Sequence, residues 1–192
     1  MVRVSRVFRL IFRIFLLLLT LSITVVAFLG GLSAVMIIQE TDNIGINTDD
    51  AEFNLDYDPL TGFHGGNFTL PFNITNAGYF DLENLEFSLS ISINYSHIDY
   101  PVSGSNETKN VIVFEKSENF GTIPQGQTGF FIFTADSSNF FPAKFPNATV
   151  VNYLRGPPVF EFYANITLSL DYSLGMHQLA LSIINLLIGE LL

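Results

Sequence analysis

The sequence predicts an all-β sandwich of about seven strands, preceded by one N-terminal transmembrane α-helix. Three observations carry that prediction. From Ile14 to Ile38 there is no charged residue, within a run that reads LIFRIFLLLLTLSITVVAFLGGLSAVMII from Leu10. After about residue 50, apolar and polar residues alternate in one segment after another, the period of a strand with one buried face. Gly, Pro, Asn and Asp punctuate those segments, which suits short strands in two sheets packed face to face.

At about 1.5 Å per helical residue the uncharged run reaches ~37 Å, enough to cross a hydrocarbon core of ~30 Å with some tilt. Arg3, Arg6, Arg9 and Arg13 precede it, and Glu40, Asp42, Asp49, Asp50 and Glu52 follow it. By the positive-inside rule the N-terminus is cytoplasmic and everything after about Gln39 is outside. A cleaved signal peptide has an apolar region of only ~7–15 residues and a small-residue exit. Here Val35–Ile38 stay apolar past Ser33-Ala34, so the run reads as an uncleaved signal-anchor. A pilin-like filament helix is the weaker alternative, because no Gly or Ala directly follows a basic residue at its start. The organisation expected is a cytoplasmic basic segment (1–13), a transmembrane helix (14–38), an acidic stalk (39–50), an extracellular sandwich (51–184) and an apolar tail (185–192).

Beyond the anchor, only Lys109, Lys116, Lys144 and Arg155 stand against all 18 acidic residues. Such a surface repels nucleic acid and anionic headgroups. It suits solubility, cation binding or a basic partner. With no cysteine, the domain relies on its core alone, and 20 Phe and 7 Tyr supply the bulk. Absence of Cys also removes thiol catalysis and thiolate metal sites. Six Asn-x-Ser/Thr sequons occur, at Asn67, Asn73, Asn94, Asn106, Asn147 and Asn165. Chance co-occurrence at this composition gives about two. The bland reading is co-occurrence in polar strand faces; external placement favours N-glycosylation.

Strands are expected over 51–58, 67–75, 85–96, 110–116, 128–135 and 159–172. Pro71 cannot donate a ladder hydrogen bond, which predicts a sheet edge or a bulge there. Segments 110–116 and 128–135 are apolar on both phases. A loop is expected over Tyr100–Asn110 and a turn over Phe120–Gln127. Asn147 is a good N-cap for a short helix over Ala148–Arg155, stopped by Gly156-Pro157. In Leu174–Leu192 the alternation around Leu179, Leu181 and Ile183 predicts a strand to about Ile184. An apolar tail with a partner follows, too short to span a bilayer. Asn67, Asn73, Asn94 and Asn165 fall on the polar phase of their strands, the phase a glycan needs.

Two segments, Asn73–Ile93 (NITNAGYFDLENLEFSLSISI) and Gly121–Phe133 (GTIPQGQTGFFIF), carry a family likeness. They resemble the late-embryogenesis-abundant type 2 domain, also called the water-stress and hypersensitive-response domain. Ile123-Pro124-Gln125-Gly126 matches that family's Ile-Pro-x-Gly turn. Asn73 and Asn76 match loosely, since Ala77-Gly78 follow where the family usually has Asn-Pro-Asn. The resemblance covers about residues 50–185 and implies an immunoglobulin-like sandwich with one short helix. It also implies a layout of cytoplasmic N-terminus, one span and an outer domain. Membrane-anchored members occur in archaea, which agrees with the sequons and the lack of cysteine. The family carries no catalytic residues, and none is transferred.

Other candidates weigh little. Asp49, Asp50, Glu52, Asp56 and Asp58 are acidic enough for Ca²⁺, but the loop spacing fails at Pro59, and a solvated acidic face is the simpler reading. His64-Gly65-Gly66 reads as a loop able to approach a ligand. His97 and His177 are distant in sequence, and three scattered histidines make no metal signature. No nucleophile elbow or phosphate loop occurs, so neither enzyme activity nor a cofactor is expected. Phe130, Phe131, Phe133, Phe140, Phe141 and Phe145 read as core, or else as a docking surface. The expected role is that of a glycosylated cell-surface component of the envelope, with structural or interaction duties. Its partners would be the lipid bilayer, N-glycans, and a protein bound through the anchor or the apolar tail; nucleic acid is excluded. The alternatives are an accessory subunit, whose Gly30-Gly31 and Ser33-Ala34 pack on other spans, and a filament subunit.

Overall fold

The computed structural model describes residues 2–39, 43–47, 50–98, 108–153, 159–172, 175 and 177–191, with backbone only for 2–11, 38, 190 and 191. One helix, α1 (Val2–Gln39), is followed by eight strands among the described residues. They are β1 (Ile44–Ile46), β2 (Glu52–Asp58), β3 (Gly62–Thr75), β4 (Leu82–Ser96), β5 (Thr108–Ile123), β6 (Thr128–Ala135), β7 (Phe160–Tyr172) and β8 (His177–Leu191). All pairings are antiparallel. In the first sheet β3 is central, with β6 on one side and both β1 and β2, end to end, on the other. In the second the order is β5-β4-β7-β8. The chain is a β-sandwich preceded by an apolar helix.

Alternation decides which side chains meet between the sheets. Phe72 on β3 stacks on Phe87 of β4 with ring centroids 5.1 Å apart. At the far end Tyr57 of β2 meets Phe160 and Phe162 of β7. Phe114, Phe133, Ile74, Leu82, Leu85 and Ile93 are fully enclosed. Burying each such side chain is worth about 1.5–3 kcal/mol, which is how a cysteine-free domain holds together.

Several expectations are corrected. The basic segment 1–13 is helical and continuous with the apolar run, since α1 runs through it from Val2. The stalk at 39–50 contains β1, whose Ile44 pairs with Ile74. His64-Gly65-Gly66 is not a loop but part of β3, opposite β2. Pro71 is not on an edge strand. It lies in the central strand, opposite Ile132 on one side and in the gap between β1 and β2 on the other, where the Asn47 N–H donates to its carbonyl. Its missing N–H therefore falls where no ladder partner waits.

The strand expected at 110–116 is longer, Thr108–Ile123, and the turn after it shrinks to Pro124–Gln127. Within it Val113 is the extra residue of a bulge, because Ile91 pairs with Phe114 while Ser92 pairs with Ile112. The bulge turns both Val113 and Phe114 inward, which is why this strand reads as apolar on both phases. No helix follows Asn147 in the described residues. Its side-chain oxygen accepts from the Thr149 N–H at 3.0 Å and closes a single turn, and Val151 then bridges to His97. Residues 154–158, with Arg155 and Gly156-Pro157, lie outside the described residues, as do Asp49, Asn106 and most of the 100–110 loop. Two short 3-10 turns, Ser137–Asn139 and Pro142–Lys144, occupy the patternless segment before Asn147.

The tail is not a strand followed by a separate apolar piece. It is one strand, His177–Leu191, paired with β7 from Tyr172 back to Phe160. Its register shifts at Asn185, which has φ of 57° and whose N–H donates to Asn165 Oδ1 at 2.7 Å.

Candidate membrane anchor and interaction surfaces

One stretch of α1, Phe12–Ile37, is long and apolar enough to cross a membrane, with mean hydropathy 2.5. Residues 12–25 are exposed all round, Arg13 included. Within the next two turns one face changes character. Gly30, Ser33 and Ile37 are buried, at the spacing of one helix face, while Leu32, Val35 and Met36 stay exposed. The buried face is covered by the chain's own sandwich. Tyr79 donates its N–H to Ser33 Oγ at 2.8 Å, and the Ser33 hydroxyl donates to the Leu29 carbonyl at 2.9 Å. Gly78 lies so close that a Cβ there would come within 2.9 Å of Ser33 Cβ. Asn43 Nδ2 donates to the Met36 carbonyl at 3.0 Å and closes the helix end. The small-residue face read as suited to neighbouring spans is thus largely taken up by the β3–β4 loop.

That loop is itself braced. Asn76 is fully buried, and its amide donates to the carbonyls of Phe80 (2.9 Å) and Ile123 (3.0 Å) while its Oδ1 accepts from the Gly78 N–H. Its backbone bonds both ways with the Pro124–Gln127 turn, which has Gly126 at φ 73°, the conformation its third position requires. The Gln125 N–H donates to Asp81 Oδ1 at 2.8 Å. The two segments that carry the family likeness meet here. Sequence reasoning noted Asn76 only as a loose motif match; the signal for its role was an Asn-Ala-Gly turn beside a Pro-Gln-Gly turn.

The sequon asparagines divide by environment. Asn67 and Asn147 are exposed. Asn73, half-buried, lies opposite Phe130 on the outer face of the first sheet. Asn94 and Asn165 lie on the outer face of the second, where Asn94 donates to Glu161 Oε2 at 2.9 Å and Asn165 holds the β8 kink. A shallow groove of about 440 Å³ runs past Asn54, Asp56, Gly65 and Asn67. Arg3, Arg6 and Arg9 fall in the helical backbone ahead of the exposed span.

No cluster of three or more metal-ligating side chains occurs among the described residues. Asp58 is committed to its own turn, accepting from the Leu60 N–H (2.8 Å) and the Thr61 hydroxyl (3.0 Å), and those bonds hold its pKa below the usual carboxylate range. His64 contacts Thr61, His97 is buried beside Tyr95, and His177 stacks on Tyr172. Burial pushes the Tyr57 phenol well above its ordinary pKa, and its hydroxyl donates to the Pro146 carbonyl at 2.8 Å.

The phenylalanine cluster splits. Phe133, Phe140 and Phe145 are core, Phe131 and Phe141 are half-buried, and Phe130 is 81% exposed. A larger apolar surface lies elsewhere. Ile183, Ile184, Leu186, Leu187 and Ile188 of β8 are all exposed. The cause is geometric: the first sheet is only three strands wide and ends at β2, which lies over β7, so β8 overhangs.

No protein-family model and no curated protein matches the chain. Among solved structures, the sporulation control protein Spo0M from Bacillus subtilis is similar at 15% identity and a TM-score of 0.28, covering 74% of this chain. The chain spans about half of that protein, 48% of its length.

Proposed function

We propose that this is a single-pass membrane protein whose sandwich stands outside the cell, carries N-glycans, and serves a structural or interaction role in the envelope. The observation that carries the reading is the fully exposed apolar surface of residues 12–25, behind arginines and ahead of an acidic domain. A helix that is hydrophobic all round and touches nothing has water as its costliest surroundings and lipid as its natural solvent. The acids suit an outer surface, and the outward sequons suit glycans. The resemblance to the late-embryogenesis-abundant type 2 domain supports the same layout of short inner segment, one span and outer sandwich.

A second reading, an assembly component (an accessory subunit or a filament subunit), is favoured by the overhanging edge of β8. That strand carries no charge between His177 and Ile188, although edges are usually guarded by charge. Gentle detergent extraction from native membranes, followed by sizing and mass spectrometry, separates the two. A particle of one glycosylated chain supports the lone surface protein. Stoichiometric partners or a ladder of self-association supports assembly, and release into buffer without detergent contradicts the anchor itself.

A further inference from the structure

We infer that the base of the sandwich lies directly on the bilayer, with the Asn76–Asp81 loop at headgroup level and Tyr79 as its interfacial contact. The inference rests on the anchoring reading and deepens it. Its starting point is the bond between the Tyr79 N–H and Ser33 Oγ. Ser33 belongs to the apolar run itself, twenty residues after Arg13. Twenty helical residues rise ~30 Å, the thickness of the hydrocarbon core. If Arg13 marks the inner boundary, Ser33 marks the outer one, and whatever is bonded to Ser33 is at that boundary too.

The surfaces around that point agree. Tyr79 is 45% exposed at the loop tip, and the helix flanks beside it, Leu32, Val35 and Met36, are exposed and apolar. A tyrosine with an apolar ring and a polar tip is the side chain that membrane interfaces favour. The loop's one carboxylate, Asp81, is engaged by the Gln125 N–H, so the surface suits zwitterionic rather than anionic headgroups.

The contact is also stiff. Ile37 is buried within the core of the domain, Gly78 leaves no room against Ser33, and Asn43 fastens the helix end. Helix and sandwich therefore tilt as one body. The β8 overhang is carried at a set height, since its kink at Asn185 is held by Asn165, midway along β7.

The chain has no cysteine, so single-cysteine variants report one position each. Nitroxide labels at Leu21→Cys, Tyr79→Cys and Leu60→Cys in the full chain, reconstituted in phosphatidylcholine vesicles, are read for collision with oxygen and with a water-soluble nickel chelate. The expected order is Leu21 deep, Tyr79 at the headgroups with several-fold less nickel access than Leu60, and Leu60 fully aqueous. Adding Ser33→Ala, which removes the acceptor for the Tyr79 N–H, should raise nickel access at position 79 and leave position 21 unchanged. If position 79 is as aqueous as position 60 while position 21 is deep, the anchor stands and this inference is overturned. If position 21 is itself aqueous, the anchoring reading fails, and the inference with it.

Discussion

The base of the sandwich and its overhanging edge use the same building material in opposite ways. At the base, Asn76 spends every hydrogen-bonding group of its amide on the chain, and the helix end, the β3–β4 loop and the β5–β6 turn close around it. Along β8, apolar side chains on both phases project beyond the first sheet, and one edge of the strand has no neighbour among the described strands. The base is satisfied within one chain; the outer edge of β8 has no partner strand among the described residues. A polar residue can thus be more deeply structural than a row of isoleucines and leucines, because sheet width, not hydrophobicity, decides what is covered.

The largest effect expected from this contrast is at the base. Asn76→Ala removes the side-chain partner of the Phe80 and Ile123 carbonyls and of the Gly78 N–H, which costs about 3 kcal/mol of sandwich stability at roughly 1 kcal/mol per group. Denaturant unfolding measures it; a loss below ~1 kcal/mol would mean that water replaces the amide readily. At the edge, Ile184→Lys should leave stability within about 0.5 kcal/mol, since the side chain is exposed. On the assembly reading, the same change weakens self-association of the detergent particle about tenfold, equivalent to ~1.4 kcal/mol, as seen in sizing across a concentration series. Unchanged association would remove β8 as the contact.

Glycan occupancy sharpens the picture further. Asn67 and Asn147 are exposed and should carry the highest occupancy in glycopeptide mass spectrometry. Asn94 and Asn165, held by Glu161 and by the β8 kink, should carry less. The smallest effect is on pH dependence. The Asp58 pKa is lowered in the folded chain, so its contribution is present above the unfolded carboxylate pKa of ~3.9 and is lost as pH falls through the lower folded value. An NMR titration of the Asp58 carboxyl should show that depressed midpoint, and Thr61→Val should move it upward.

How legible each part was follows from local geometry. β7 and β6 were readable, one from unbroken alternation between Phe160 and Tyr172, the other from Thr128–Ala135 between clear turns. The bulge at Val113 breaks the period of β5, so alternation marks only part of its length. The full length of β8 was hidden by the left-handed Asn185, which shifts the phase midway through an apolar run. β1 has three residues inside an acidic segment, too few for any period to show. Of the candidate surfaces, the long apolar helix was plain from composition. The docking of its last turns on Gly78 and Tyr79 was not, because it joins residues 46 apart in sequence through one serine hydroxyl.

The central claim is that one span separates an inner N-terminus from an outer sandwich. Ser5→Cys and Thr122→Cys, each alone in the cysteine-free chain, test it with a membrane-impermeant thiol reagent on intact cells. Labelling is expected at Thr122→Cys in intact cells and at Ser5→Cys only after permeabilisation. Labelling of Ser5→Cys but not Thr122→Cys in intact cells, or equal protection of both, would contradict it.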